Sequence, residues 1–310
     1  MIRWGVLGGS SRIFQNELRP AFEQAGQQIV DAPSRRGEDF GPYDEMLARN
    51  DIDAVYNPLP NHLHAEWSHR ALDAGKHVLC EKPLTLTPDD SARLFDHAES
   101  AGLTLLEAYM WPHHPRAKAL LALAAGGSLG ALQTGRSSFS YPMDMTAGDH
   151  RIDTRGAGAV FDIGIYCIAP FMLIADRDPV GMAASATRND LGVDVAMAGW
   201  IDWGLGFSST FDVSFDAPVR KQMSLSASLG LVNVPGLHVP GPETASTLEV
   251  ERRDGSVEVV ECAGANAYAG MSAHFEAVVA GTEKSIFGRA ESMRMALILD
   301  ELHRGTGAKT

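Results

Sequence analysis

The sequence predicts two domains. Residues 1–111 read as a parallel α/β domain, and residues 112–310 as an α+β domain on one large, open, mainly antiparallel sheet. Three observations carry this. Up to about residue 112, short apolar runs alternate with helical patterns, which is how a parallel sheet with crossover helices reads. Beyond it, long alternating segments follow one another without helices between them, which implies antiparallel pairing. A chain of 310 residues with 45% hydrophobic and 21% charged side chains also has material for two cores.

The elements follow in order. Ile2 to Leu7 reads as a first strand, with a Gly/Ser turn and a helix reaching about Gly26. Gln28 to Ala32 and Ala54 to Asn57 are the second and third strands, with Tyr43 to Arg49 one small helix between them. Asn61 can cap a helix ending at Gly75, with Leu63, Trp67 and Leu72 as its buried stripe. His77 to Cys80 returns as a strand. Thr87-Pro88-Asp89-Asp90 is a helix start, because Thr87 caps, Pro88 sits first and the acids meet the positive end of the dipole. That helix stops at Gly102, and Leu103 to Ala108 is another strand. In the second domain, helices are expected over Pro115 to Ala125 and over the apolar run after Asp162. The alternating segments are Val180–Thr187, Val193–Phe215, Gln222–Val234, Thr247–Arg252 and Val257–Glu261, with helix again from Met271.

Composition excludes several function classes. With 26 basic against 39 acidic residues the net charge is −13, a field that repels nucleic acid and anionic lipid. The apolar run Ile163–Ala175 is too short for a bilayer, which takes about 20 residues, and holds Pro170. No membrane or nucleic-acid partner is expected. Cys80, Cys167 and Cys262 are odd in number and widely spaced, so neither a disulfide framework nor a metal site is expected, and a reducing cytoplasm fits.

The first chemical signal is the turn Gly8-Gly9-Ser10-Ser11-Arg12-Ile13 between a strand and a helix. Such a turn offers backbone N–H groups and a helix N-terminus to a pyrophosphate. Its later glycine positions hold other residues, so alone it reads equally as an ordinary turn. At the end of the second strand, Asp31 suits a ribose 2′-hydroxyl, whereas Ser34-Arg35-Arg36 suits a 2′-phosphate. NADP is favoured and NAD stays open. The chain has six lysines, one of them in Glu81-Lys82-Pro83 directly after a strand, where the ligand crevice of a parallel sheet lies. There an ammonium can position a substrate oxygen and lower the pKa of a neighbouring acid. The rigid string from Asn57 through Pro58, Leu59, Pro60, Asn61 and His62 to Leu63 and His64 stands at the same sheet edge. His64 reads as a cap or a cofactor contact.

Together these strings resemble the glucose–fructose oxidoreductase, inositol dehydrogenase and rhizopine-catabolism family, Gfo/Idh/MocA. The residues that carry the resemblance are Trp4 to Gly8, Pro58 to His64, Gly75 to Pro83, Glu107 to Trp111 with His114-Pro115, Gly158 to Tyr166, and His274-Phe275. It implies a Rossmann-type NAD(P)-binding domain, shortened in its second βα unit, and a substrate-binding and dimerisation domain. It further implies that Lys82 lies beside the nicotinamide, often before a cis proline, and that Asp162 and Tyr166 line the substrate side. As i and i+4 on a helix these two share a face. Tyr166 is then the acid/base, Lys82 its electrostatic partner and Asp162 the substrate orienter. Cofactor contacts are implied for the glycine turn, Ser34 to Arg36, Leu59, Asn61, His64, Glu81 and Lys82, and substrate contacts for Tyr109, Trp111 and Arg151. For Arg151, a surface salt bridge is the alternative.

The branch resembled oxidises sugars and trans-dihydrodiols, so the reaction implied is hydride transfer between nicotinamide and a carbinol carbon of a sugar, sugar derivative or vicinal diol. Three departures stand out: a glycine-poor turn, a very short stretch from Arg36 to Asp53, and Pro112 where many relatives carry arginine. They leave a second reading, a cofactor-binding sensor without turnover, and a third, a redox-neutral enzyme with tightly held cofactor. A homodimer or homotetramer is expected, formed through the open sheet.

Overall fold

The structure is a computed structural model and describes residues 1–35, 37, 39–145, 149–156, 158–236, 241 and 244–305. The chain divides into two compact units, Met1–His113 with Asn266–Ala296, and His114–Ala265 with Leu297–Thr310.

The first unit holds β1 (Arg3–Val6), a π-helical turn Phe14–Leu18 continuing as α1 (Arg19–Gln24), β2 (Gln28–Asp31), α2 (Gly41–Leu47) and β3 (Ala54–Asn57). After these come a 3-10 turn Asn61–Leu63 leading into α3 (His64–Asp73), then β4 (His77–Cys80), α4 (Pro88–Ser100) and β5 (Leu105–Glu107). The strands form one parallel sheet in the order β2-β1-β3-β4-β5. Strand order reverses between β1 and β3, so the crevice outside their carboxyl ends is where such a sheet takes a ligand. Among the described residues α2 is the one helix between β2 and β3, the shortened unit expected from the sequence.

Every residue of β3 is buried, as a strand covered on both faces must be. One core cluster joins Leu7, Tyr43, Met46, Trp67, Leu94 and Phe95. On the other face Trp4 lies between Phe22 and Phe275, with ring centroids 4.8 and 5.0 Å away. Phe275 belongs to α7 (Ala267–Val279). This contact explains why Asn266–Ala296, expected with the second domain, packs with the first unit; a partner so remote in sequence leaves no local pattern. Asn61 was expected to cap α3. It opens the 3-10 turn instead, and the position before α3 is Leu63, which offers no side-chain cap. Thr87 does cap α4, accepting the Asp90 N–H at 3.1 Å. Thr87→Ala is therefore expected to cost about 1 kcal/mol, read from urea unfolding.

The second unit holds α5 (Pro115–Ala125), β6 (Leu132–Ser140), a π-helical turn Val160–Gly164 continuing as α6 (Ile165–Ala175), and β7 (Gly181–Arg188). Then come β8 (Asp194–Gly204), β9 (Phe207–Ser214), β10 (Arg220–Ala227), β11 (Gly230–Pro235), β12 (Ser246–Arg252) and β13 (Val257–Cys262). The order is β13-β12-β11-β10-β6-β9-β8-β7, antiparallel except that β6 and β9 run parallel. The long stretch Val193–Phe215 is two strands. It folds back at Leu205 and Gly206, both at positive φ (54° and 81°), the twist a two-residue hairpin requires.

The apolar helix α6 packs on β6 and β9. A Cβ at Gly135 of β6 would stand 2.5 Å from the Phe171 ring, so only glycine lets α6 sit this close. The Ser137 hydroxyl donates to the Cys167 carbonyl at 2.8 Å beside it. Among the described residues no helix is long and apolar enough to cross a membrane. A last helix, α8 (Arg289–Gly305), is shared between the units at Ala296.

Candidate active site

The turn after β1 is built by close approach. Gly8 has φ +76°, and a Cβ on Gly9 would meet the Ala32 carbonyl oxygen at 2.0 Å. Gly9 donates its N–H to the Pro33 carbonyl at 2.8 Å, and Ser10 donates its N–H to the Ser34 hydroxyl at 2.9 Å. The second glycine thus lets the segment after β2 lie against the turn. Helix begins at Arg12 and Ile13, where first-turn N–H groups lack intrahelical acceptors. Ser11 is half-buried, its hydroxyl accepting the Phe14 N–H at 3.4 Å, and Arg12 is exposed. Asp31 is bonded to Arg49 at 3.1 Å. Arg35 is exposed, its guanidinium 5.8 Å from the Phe40 ring and its N–H on the Tyr43 hydroxyl. Arg36 lies outside the described residues.

The loops after β3 and β4 are fixed to one another. Asn57, fully buried, accepts the Leu59 N–H and donates to the Ser68 hydroxyl at 3.0 Å. His64 is 1% exposed, with Nε2 2.6 Å from the Leu59 carbonyl and Nδ1 2.8 Å from the Pro83 carbonyl. The ring, read as a cap or cofactor contact, lies between these two carbonyls, one from each loop. Leu59 is buried beneath Gly8, its Cδ2 3.2 Å from where a Cβ would stand. Lys82 follows β4 and precedes a cis peptide bond to Pro83. Glu81 is buried, accepting the Tyr56 hydroxyl at 2.6 Å and the Lys82 N–H at 3.3 Å. Burial, reinforced by the Glu81 charge, pushes the Tyr56 phenol well above its ordinary range. Lys76, the other lysine of this region, donates to the Arg49 and Ile52 carbonyls at 2.7 and 3.0 Å and serves the fold. After β5, Tyr109 and Trp111 are buried, with near-parallel rings 6.4 Å apart and the Tyr109 ring 4.9 Å from Phe287.

In the second unit, Asp162, Tyr166 and Arg151 come together around the end of β6. Asp162 lies in the π-helical turn, so the regular α-helical spacing expected between it and Tyr166 is replaced by a wider turn, a feature frequent at functional sites. The fully buried Asp194 seats this turn by accepting the Val160 N–H at 2.9 Å. Phe139 meets Tyr166 edge-on at 5.8 Å, and two residues on, the Tyr141 hydroxyl donates to Asp162 at 3.3 Å. Arg151 donates to the Tyr141 oxygen at 2.9 Å and forks onto Asp149 at 2.9 and 2.6 Å. It lies 3.9 Å from Asp162. These bonds hold the Asp149 carboxyl down at about 2 and raise the Arg151 guanidinium. Arg151 is thus half-buried, ion-paired with Asp149 and beside Asp162. Tyr141 and the anchoring role of Asn57 carry little signal in the sequence. Asn57 stood inside a quoted motif, while Tyr141 has only its i, i+2 relation to Phe139 as a signal.

The match to known proteins covers both units. Residues 2–109 match the family described as "Oxidoreductase family, NAD-binding Rossmann fold", and residues 117–231 match the "GFO/IDH/MocA C-terminal domain". D-xylose 1-dehydrogenase (NADP(+)) 2 of Haloferax volcanii is 34% identical over 87% of this chain and 83% of its own. A dTDP-3,4-didehydro-2,6-dideoxy-alpha-D-glucose 3-reductase of Streptomyces violaceoruber is 36% identical over 89% and 85%. The crystal structure of KijD10, a 3-ketoreductase from Actinomadura kijaniata in complex with NADP and TDP-benzene, superposes with TM-score 0.87 at 30% identity, covering 98% and 97%. With its parallel nucleotide-type sheet, its large second sheet and both matched segments, the chain belongs to the Gfo/Idh/MocA family of oxidoreductases.

Proposed function

We propose that the protein is an NADP-dependent dehydrogenase or reductase acting on a carbinol carbon of a sugar, a sugar derivative or a vicinal diol. The observation that carries this reading is the ordered Asp162–Tyr166 cluster at the end of β6, in a chain that also presents Lys82 after β4. When bound, the nicotinamide supplies the hydride acceptor or donor. Tyr166 takes the hydroxyl proton on oxidation and returns it on reduction. A phenol with a reference pKa of about 10 needs positive charge to do so near neutrality, and that is the role read for Lys82. Asp162, kept oriented by Tyr141 and Arg151, accepts from a neighbouring substrate hydroxyl. Arg12 and the first-turn N–H groups hold the pyrophosphate, while Ser34, Arg35 and Arg36 hold the 2′-phosphate. Asp31, the acid that would favour NAD, is already engaged by Arg49.

The NADP(+)-dependent xylose dehydrogenase and the NADP-bound ketoreductase among the relatives support cofactor and reaction alike. They favour an enzyme over a sensor. The protein works in the cytoplasm, in keeping with three buried free cysteines. It pairs through the open sheet of the second unit, where Trp200 is 41% exposed; a monomeric mass by light scattering would end that part. Thermal shift tests the cofactor. NADPH at a hundredfold its Kd should add about 2.7 kcal/mol of stability, several degrees in Tm, with NADH at the same concentration giving little. A larger shift with NADH would reverse the preference. Turnover of NADP+ with aldoses and diols, or of NADPH with keto-sugars, tests the reaction, and none with any of them leaves the sensor reading.

A further inference from the structure

Behind Lys82 lie two buried carboxyl groups at the carboxyl ends of β4 and β5. Glu107 is the last residue of β5, pairs with Cys80 across the ladder, and is 5% exposed. Its Oε1 accepts the Leu84 N–H at 3.0 Å. Glu81, 9% exposed, accepts the Lys82 N–H at 3.3 Å. Pro83 has no N–H. The backbone donors of Lys82-Pro83-Leu84 therefore end on carboxylates, not on the sheet. This is an expensive arrangement for a loop, since each buried carboxyl forfeits hydration and a neutral acceptor would serve the same hydrogen bond. The charge calls for a purpose of its own.

We propose that Glu107 is a positioning residue for Lys82: it holds the Lys82–Leu84 loop through the Leu84 N–H and places negative charge behind the ammonium. The inference rests on the reading that Lys82 assists proton transfer. Its reach is electrostatic as well as mechanical. Burial first, and then the Glu81 carboxylate, push the Glu107 carboxyl up to about 7, while Ser292, the Leu84 N–H and the Lys82 charge oppose them. Interaction between two charges is mutual, so Glu107 in turn favours the protonated form of Lys82. The groups that face Glu107 are Glu81 and Lys82 on the loop, the Cys80 thiol on β4 and Ser292 on α8. Above pH 7, where Glu107 is mostly ionised, removing its charge takes away negative charge that favours the ammonium.

The test is Glu107→Gln, which keeps an acceptor for the Leu84 N–H and removes the charge. NADPH affinity, followed by fluorescence, should stay within about twofold. The kcat should fall by about tenfold, and the basic limb of kcat/KM should move to lower pH by about one unit. Glu107→Asp should restore the limb even where kcat stays low, because charge returns while the hydrogen bond is stretched. Should Glu107→Gln fail to fold, Glu107→Asp carries the test against wild type, with the basic limb expected in place. A basic limb unmoved in Glu107→Gln, or displaced in Glu107→Asp, overturns the proposal. Lys82→Ala separates the two levels: if it retains turnover, the parent reading fails. If it abolishes turnover while Glu107→Gln keeps the wild-type profile, only this inference fails.

Discussion

Lys82→Ala is expected to lower kcat by about three orders of magnitude, Tyr166→Phe by a similar factor, and the double variant by scarcely more than either alone. A positioned proton-transfer group contributes about 10²- to 10⁴-fold, so either loss alone nearly exhausts what the pair supplies. Non-additivity is the sharper part, because residues that act as a unit lose most of their effect with the first member removed. Tyr166→Phe keeps the ring, and with it the edge-on contact to Phe139, so the fold of the second unit should not change. Cofactor affinity should hold to within about threefold in Tyr166→Phe, since in the proposed role its oxygen serves the proton and not the dinucleotide. Effects that multiply in the double variant would mean that ammonium and phenol serve separate steps. Wild-type turnover in either single variant would remove that residue from the chemistry.

Much of this was legible in the sequence because the carrying signals are local. β3 and β4 read correctly since a strand buried on both faces is a short apolar run, and α4 because Thr87, Pro88 and two acids mark its start within four positions. β6 was invisible, although it lies inside the second sheet between β9 and β10. Its inward face begins Gly135 and Ser137, small because α6 and the Phe171 ring press on it, so the alternation that betrays a strand is missing. The break in Val193–Phe215 was hidden for a related reason: Leu205 holds a position where Asn, Asp or Gly is the usual sign of a hairpin. Among the site residues, Lys82, Asp162 and Tyr166 sit in compact strings. What the strings left out was how the residues are held. The placing of His64 between two carbonyls depends on one 19 positions away, and the engagement of Asp31 by Arg49 on a residue 18 positions on. The side chains that aim the site are paired at long range, and long-range pairing is what periodicity cannot report.

Gly9→Ala is expected to be the most damaging small change in the first unit. The added Cβ would stand 2.0 Å from the Ala32 carbonyl oxygen and 2.7 Å from its carbon, and both are backbone atoms that cannot rotate away. Either the turn or the segment after β2 must shift, and the Gly9-to-Pro33 and Ser10-to-Ser34 hydrogen bonds join the two. Forcing such a contact typically costs about 1–3 kcal/mol in stability. The larger effect should fall on NADPH. In the proposed reading the turn meets the pyrophosphate and the segment through Ser34 and Arg35 meets the 2′-phosphate, so separating them strains both contacts at once. An NADPH Kd raised about a hundredfold corresponds to about 2.7 kcal/mol. Ser10→Ala is the control: Ser10 is exposed, its N–H remains available to Ser34, and its affinity should stay near wild type. The discriminating measurement is NADPH binding by titration calorimetry below the melting temperature of each variant. A Gly9→Ala protein that is destabilised yet binds NADPH like wild type would locate the phosphates elsewhere. Loss of NADPH affinity with NADH affinity unchanged would show that only the segment after β2 had moved, and that the turn keeps its hold on the pyrophosphate.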